Sequence, residues 1–253
     1  MTLSNDQALV QLTLNFENVQ RHVEVRPPNR SMPVVEMLPV LHRLEDTFTG
    51  MATEVVEAQG RQVTCCAGCG ACCRQLVPIS EAEALHLARV VQAMPPDRQQ
   101  QVRERFRTAL AGFEQEGLLE RVRVLSACND HDERRELGHA YFSLGIPCPF
   151  LDDESCGIHP DRPLRCREHL VTSPAENCKT PSEDRCDMVP MPGRLSEVLF
   201  RFADGVGNAE RRVVALVLAL EFADEHGRDE AAEFPAGSLL RNFLERSSGL
   251  PGE

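Results

Sequence analysis

The sequence predicts a mainly α-helical protein built around an irregular, cysteine-rich metal-binding centre, with one short β-hairpin expected near Phe150–Ile158. Three observations predict this. Apolar residues recur with helical periodicity on both sides of a central stretch. Five cysteines crowd into "CCAGCGACC", Cys65–Cys73. A later stretch, Ile146–Cys186, is rich in proline, cysteine and turn residues and has no sustained periodicity. There is no internal repeat and no strand–helix alternation of the kind that builds a parallel sheet.

The chain has 253 residues, enough for one sizeable core with or without appendages. Its net charge of −12 would repel nucleic-acid phosphates and anionic lipid. Neither nucleic acid nor membrane is therefore an expected partner. The opening "MTLSNDQALVQLTLNF" lacks the basic start and apolar run of a secretory leader. The most apolar later stretch, Val213–Ala223, falls far short of the roughly 20 residues that span a bilayer. A cytoplasmic location is expected.

Residues 1–60 read as an N-terminal linker and helical appendage. "RPPNRSMP" (Arg26–Pro33) is rich in chain breakers, and Val34–Gln59 fits a helix with Pro39 near its start and Gly60 as its stop. Residues 61–190 read as a cysteine-cluster metal-binding domain. Within it, "ISEAEALHLARVVQAM" predicts a helix opened by a Ser80–Glu83 capping box, with Ala84, Leu87, Val90 and Val91 on its apolar face. A second helix starts at Pro96, buries Val102, Phe106, Leu110 and Phe113, and stops at Gly117; a short third one covers Asp132–Phe142. Residues 191–253 read as a C-terminal helical segment, with helices over Leu195–Ala203, Ala209–Glu225 and Ser238–Arg246.

Eleven cysteines is an odd number, and in a reducing compartment clustered thiols more often bind metal than form cystines. Adjacent pairs such as Cys65–Cys66 and Cys72–Cys73 make poor disulfides. Cys66, Cys69 and Cys72 follow the C-x2-C-x2-C spacing by which a ferredoxin loop presents thiolates to a 4Fe–4S cluster, and Cys148-Pro149 parallels the later Cys-Pro of such motifs. Neighbouring side chains diverge, so Cys72 and Cys73 are poorly placed to hold one ion. The downstream cysteines Cys148, Cys156, Cys166 and Cys178 could complete two four-coordinate centres. Zinc is the rival metal, since both zinc and iron–sulfur clusters take thiolates and spacing does not separate them. Cys156-x2-His159 and Cys166-x2-His169 could even hold a zinc by themselves. Cys65, Cys69 and Cys72 match the C-x3-C-x2-C spacing of radical S-adenosylmethionine enzymes, but Ala71 replaces the usual aromatic and the required barrel is missing from the pattern.

"CAGCGACCR" (Cys66–Arg74), "CPFLDDESCGIHPDRPLRCRE" (Cys148–Glu168) and Cys178 together resemble the YkgJ-type cysteine-cluster (CxxCxxCC) family, described as zinc- or iron-chelating. A similar domain occurs in flagellin lysine N-methylases. The resemblance implies metal ligands at Cys66, Cys69, Cys72, Cys73, Cys148, Cys156, Cys166 and Cys178. Arg162, Pro163 and Arg167 match its "RPxxCR" stretch, whereas Cys65, Cys128 and Cys186 fall outside its pattern. Cys186 could stand in for Cys178, because the spacing of the last ligand is loose. Arg74, Arg162, Arg165 and Arg167 could stabilise a thiolate-rich centre, or could pair with nearby Asp152, Asp153, Glu154, Asp161 and Glu168.

Three functional classes follow. The first is a metal-binding protein with one or two cysteine-ligated centres, iron–sulfur (4Fe–4S favoured) or zinc. The second is an iron–sulfur enzyme of electron transfer or protein lysine N-methylation, acting on a protein substrate. The third is a zinc-stabilised adaptor that binds a protein partner. No nucleotide-binding glycine loop and no catalytic triad stands out, and "GVGNAE" (Gly205–Glu210) does not follow a strand.

Overall fold

The computed structural model describes residues 9–124, 131–180, 186–207, 209–227 and 231–247. The chain opens with a hairpin of β1 (Val10–Phe16) and β2 (Val19–Val25), paired from Val10↔Val25 to Phe16↔Val19. Alternation of Val10, Leu12, Leu14 and Phe16 with polar residues gives β1 one half-buried face. Leu14, Phe16 and Val19 pack on Met51 and Val55 of the first helix, α1 (Leu38–Ala58). Between hairpin and helix, the breaker-rich stretch contributes β3 (Ser31–Met32). Pro39 occupies the first turn of α1, and Gly60, at φ 75°, ends the segment in a conformation that favours glycine.

β4 (Pro78–Ile79) leads into α2 (Glu81–Ala93), which starts with the expected capping box: the Ser80 hydroxyl accepts from the Glu83 backbone N–H, and the Glu83 carboxylate accepts from the Ser80 N–H. α3 (Pro96–Gln115), α4 (Leu119–Arg123) and α5 (His131–Ser143) follow. The Cys/Pro-rich stretch then forms a tight hairpin, β5 (Leu151–Asp152) with β6 (Ser155–Cys156), and the short helix α6 (Leu164–Glu168). The hairpin falls where the sequence placed it. Its turn residues Asp153 and Glu154 have φ of 46° and 58°.

The C-terminal part contains α7 (Leu195–Leu199), β7 (Val214–Ala215), α8 (Ala219–His226), β8 (Phe234–Pro235) and α9 (Ala236–Ser247). Two sequence expectations need correcting. The helix expected over Ala209–Glu225 exists only from Ala219; before it, Val214 and Ala215 pair with Ile79 and Pro78, and Leu216–Leu218 form a 3-10 turn. The helix expected over Leu195–Ala203 ends at Leu199.

Two apolar cores result. α2, α3, α4 and α5 enclose the Val213–Leu220 run in one; α1, the Val189–Phe202 segment and α9 form the other. β3 pairs with β8 and so ties the N-terminal part to the C-terminal part. The centre of interest lies where the cores meet, because α6 touches both. Leu164 is fully buried in the second core, while Cys166 packs against the first. Among the described residues, no helix is long and apolar enough to cross a membrane.

Candidate metal centre

The cysteine loop, residues 65–73, is pinned at both ends. On one side the Thr64 N–H donates to Val171 O at 3.0 Å, and its hydroxyl donates to Ser173 O at 2.6 Å. On the other, the Cys148 N–H donates to Cys73 O at 2.7 Å. Between these points the chain turns twice. Cys69 N–H donates to Cys66 O across Gly68, whose φ of 83° favours glycine, and Cys73 N–H donates to Gly70 O at the start of a 3-10 turn. Gly70 lies against the β5–β6 hairpin so closely that a Cβ there would be 3.1 Å from Glu154 Cα and 2.8 Å from Leu151 Cδ1. Arg74 fastens the contact by donating to Gly70 O at 2.8 Å and to both Glu154 carboxylate oxygens.

The hairpin is anchored from behind. Phe150 meets Phe106 of α3 edge-on, ring centroids 5.3 Å apart, a geometry worth about 0.5–1.5 kcal/mol beyond burial. Arg98 and Arg105 both pair with Asp152, and Arg105 also donates to Leu151 O. α6 is held by carboxylates. Glu83 accepts from the Leu164 N–H at 2.8 Å, and Glu168 accepts from the Ser196 N–H and hydroxyl. The capping-box residue Glu83 thus also positions the helix that carries Cys166, a role its local motif did not reveal.

These anchors bring thiols from distant stretches together. Seven of the eight sequence-predicted ligands, namely Cys66, Cys69, Cys72, Cys73, Cys148, Cys156 and Cys166, border one cavity of about 640 Å³. Cys178 does not; it lies in a small apolar patch with Ala71 and Val171, against which Cys65, Cys69 and Cys186 pack. Cys66 is exposed. It also lines an open cleft of about 880 Å³ with Arg74, Glu154 and Lys179. Cys128 lies outside the described residues. Among the described residues, no three Cys, His, Asp or Glu side chains stand in a closed ligand shell.

Within the cavity, Cys72, Cys148, Cys156 and Cys166 act on one another electrostatically. Burial and neighbouring thiols hold Cys166 well above its ordinary value; burial pushes Cys148 up to about 12 and raises Cys156. A hydrogen bond with Cys73, added to burial, raises Cys72. Without a metal these thiols are protonated at neutral pH, and a bound cation would displace the protons.

The arginines divide into two kinds. Arg74 pairs with Glu154, and Arg167 pairs with Asp46. Arg162 and Arg165 line the thiol cavity, and among the described residues Arg162 Nε and Arg165 Nη1 are buried with no hydrogen-bond acceptor. Arg165 Nη1 has only distant acidic neighbours, Glu168 at 3.7 Å and Glu197 at 3.9 Å. His169 Nε2 is buried and unpartnered too, and burial lowers its pKa. Buried donors without acceptors are costly. An anionic, thiolate-rich group in the cavity would supply acceptors, and soft thiolates suit zinc or an iron–sulfur cluster. The donor set therefore fits such a group.

Fold and site together define a thiol-rich chelating domain inside a helical protein. The comparison with family models agrees. Residues 65–187 match the CxxCxxCC family, described as a putative zinc- or iron-chelating domain, and this part of the chain is similar to that family. No curated protein and no solved structure matches the chain.

Proposed function

We propose that Cys72, Cys148, Cys156 and Cys166 hold an iron–sulfur cluster, and that the protein uses it to exchange electrons with a partner. One observation carries this reading: four mutually interacting thiols border a cavity of about 640 Å³ that Arg162 also lines, its buried Nε without a hydrogen-bond acceptor among the described residues and its charge acting on Cys72 and Cys156. A single zinc ion needs far less room. The cluster would supply one-electron chemistry, and Arg162 and Arg165 would offset its negative charge and raise its potential. Cys66 and Cys73 line the same cavity and remain candidate ligands for it. The open cleft beside Cys66 gives a redox partner access to the loop that covers the site.

The test is anaerobic purification followed by metal and sulfide analysis and visible spectroscopy. Iron with acid-labile sulfide, and a visible absorption that dithionite bleaches, is expected. Cys156→Ser and Cys166→Ser should each abolish the chromophore. A colourless protein with stoichiometric zinc would refute the redox reading and leave a structural metal centre.

A further inference from the structure

We propose a second, separate thiolate site made by Cys65, Cys69, Cys178 and Cys186, which binds one tetrahedrally coordinated soft cation such as zinc. It rests on the metal-binding reading above and deepens it. Cys65 and Cys186 become ligands although the family resemblance leaves both out, and Cys69 and Cys178 are assigned away from the cluster.

The distance between the two downstream sulfurs carries the argument. Cys178 Sγ and Cys186 Sγ stand 3.8 Å apart. A disulfide needs about 2.05 Å, so the pair is not a cystine. A tetrahedral zinc with Zn–S bonds of about 2.3 Å places any two of its sulfurs about 3.8 Å apart. The pair therefore already spans one edge of such a tetrahedron. A four-iron cubane takes one thiolate per iron, which spreads its ligands much further than two donors on one ion. This pair fits a single ion and not two corners of a cubane.

Two more thiols share the same floor. Cys65 and Cys69 pack with Cys186 against Ala71, Val171 and Cys178, whereas Cys148, Cys156 and Cys166 pack on the first core; Cys69 stands at the border, since it also lines the cavity. The scaffold under this patch is a backbone lattice. The two bonds of Thr64 to Val171 and Ser173 fix the residue before Cys65. The Val171↔Met188 bridge, the Thr172 N–H to Asp187 O bond and the Asp187 N–H to Ser173 Oγ bond fix the residues after Cys186. Metal capture would draw Cys65 and Cys69 onto the edge that Cys178 and Cys186 form.

The test uses the full-length wild-type chain, as purified and after zinc addition, with iodoacetamide labelling read by mass spectrometry. Cys65 and Cys186 should label at least about tenfold more slowly with metal than after chelation, because ligation removes the free thiolate. Native mass spectrometry of Cys186→Ser should show one zinc fewer than wild type, with Cys156 and Cys166 still protected. If Cys65 and Cys186 label equally fast in both states while Cys156 and Cys166 are protected, the second site is wrong and the first reading stands. If no thiol is protected and no metal is retained, the metal-binding reading falls and this inference falls with it. A Cys178–Cys186 disulfide in the metal-loaded protein would also overturn it.

Discussion

Replacing Arg167 with methionine should destabilise the metal-free protein by about 2–3 kcal/mol. Arg167 is 7% exposed. Its Nε donates to Arg162 O at 2.9 Å, its Nη1 to Asp46 Oδ1 at 2.7 Å, and its Nη2 to Pro160 O. Bonds from a charged donor are worth about 1.5–3 kcal/mol each, so three of them set an upper region above 4 kcal/mol. Two effects reduce that. The Asp46 side chain is 64% exposed and rehydrates once released. Methionine also fills part of the volume without burying a guanidinium. The two backbone bonds are the part that methionine cannot replace, and they hold the turn from Pro160 to Cys166. Urea denaturation in the presence of chelator gives the stability; iron and acid-labile sulfide content after anaerobic purification gives cluster retention, which should fall as Arg162 and Cys166 lose their fixed relation. Asp46→Asn should cost less than about 1 kcal/mol, because its carboxylate is exposed. A stability change below about 0.5 kcal/mol in Arg167→Met, or an Asp46→Asn cost equal to it, would refute the assignment of the backbone bonds as the holding element.

Three further outcomes follow. Burial, with Arg167 and His86 alongside and only partly opposed by Asp161 and Asp46, lowers the His42 pKa from 6.5 to about 4. The stability this neutral imidazole confers is full above pH 6.5 and is lost as pH falls toward 4, about 3 kcal/mol in all; His42→Gln should flatten that slope in urea titrations with chelator, and an unchanged slope would disprove it. Gly70→Ala should cost about 1–3 kcal/mol and weaken metal retention by pushing the loop off Glu154, whereas Gly68→Ala, with open space around it, should cost only the roughly 1–2 kcal/mol of its positive φ; equal metal retention in the two would contradict the close contact at Gly70. Glu83→Gln should cost about 2–3 kcal/mol by aiming an amide N–H₂ at the Ser80 and Leu164 donors, as measured by thermal unfolding, and a neutral result would show that these bonds do not matter.

The sequence made the helices legible where an amphipathic period and an end signal coincide. Ser80 with Glu83, and Gly60 and Gly117 at φ 75° and 70°, marked boundaries that the structure keeps. The β1–β2 hairpin went unread, although Val10, Leu12, Leu14 and Phe16 alternate with polar residues before Glu17–Asn18. The Val213–Leu218 run is a different failure, because a continuous apolar stretch has no period to separate a buried strand from a helix. At the site, thiol chemistry and spacing named the candidate ligands. Their division between cavity and patch was not legible, since it depends on Thr64 meeting Val171 and on Cys73 meeting Cys148, contacts between distant stretches. Glu83 and Arg167 were equally hidden in their second roles, which join α2 and α1 to the α6 region.

The two halves of the centre are prepared for metal to different degrees, and this decides what binding must accomplish. α6 has five residues, too few to be stable alone. Yet Glu83, Glu168 with Ser196, and the burial of Leu164 fix it without any metal, and Phe150 on Phe106 fixes the hairpin that ends at Cys156. Between its end points the Cys65–Cys73 loop is held by two backbone turn bonds, the burial of Ala71 and the Arg74 clasp, and its spacers are only alanine and glycine. Each residue ordered there costs about 1–2 kcal/mol of backbone entropy. A metal held by Cys148, Cys156 and Cys166 would meet ligands already in place, and the free energy of binding Cys72 would be available to order the loop. The glycines that make the loop weak are also what let it approach the hairpin at Gly70 and turn at Gly68. Bulkier spacers would steady the free loop and close the path by which its thiols reach the centre.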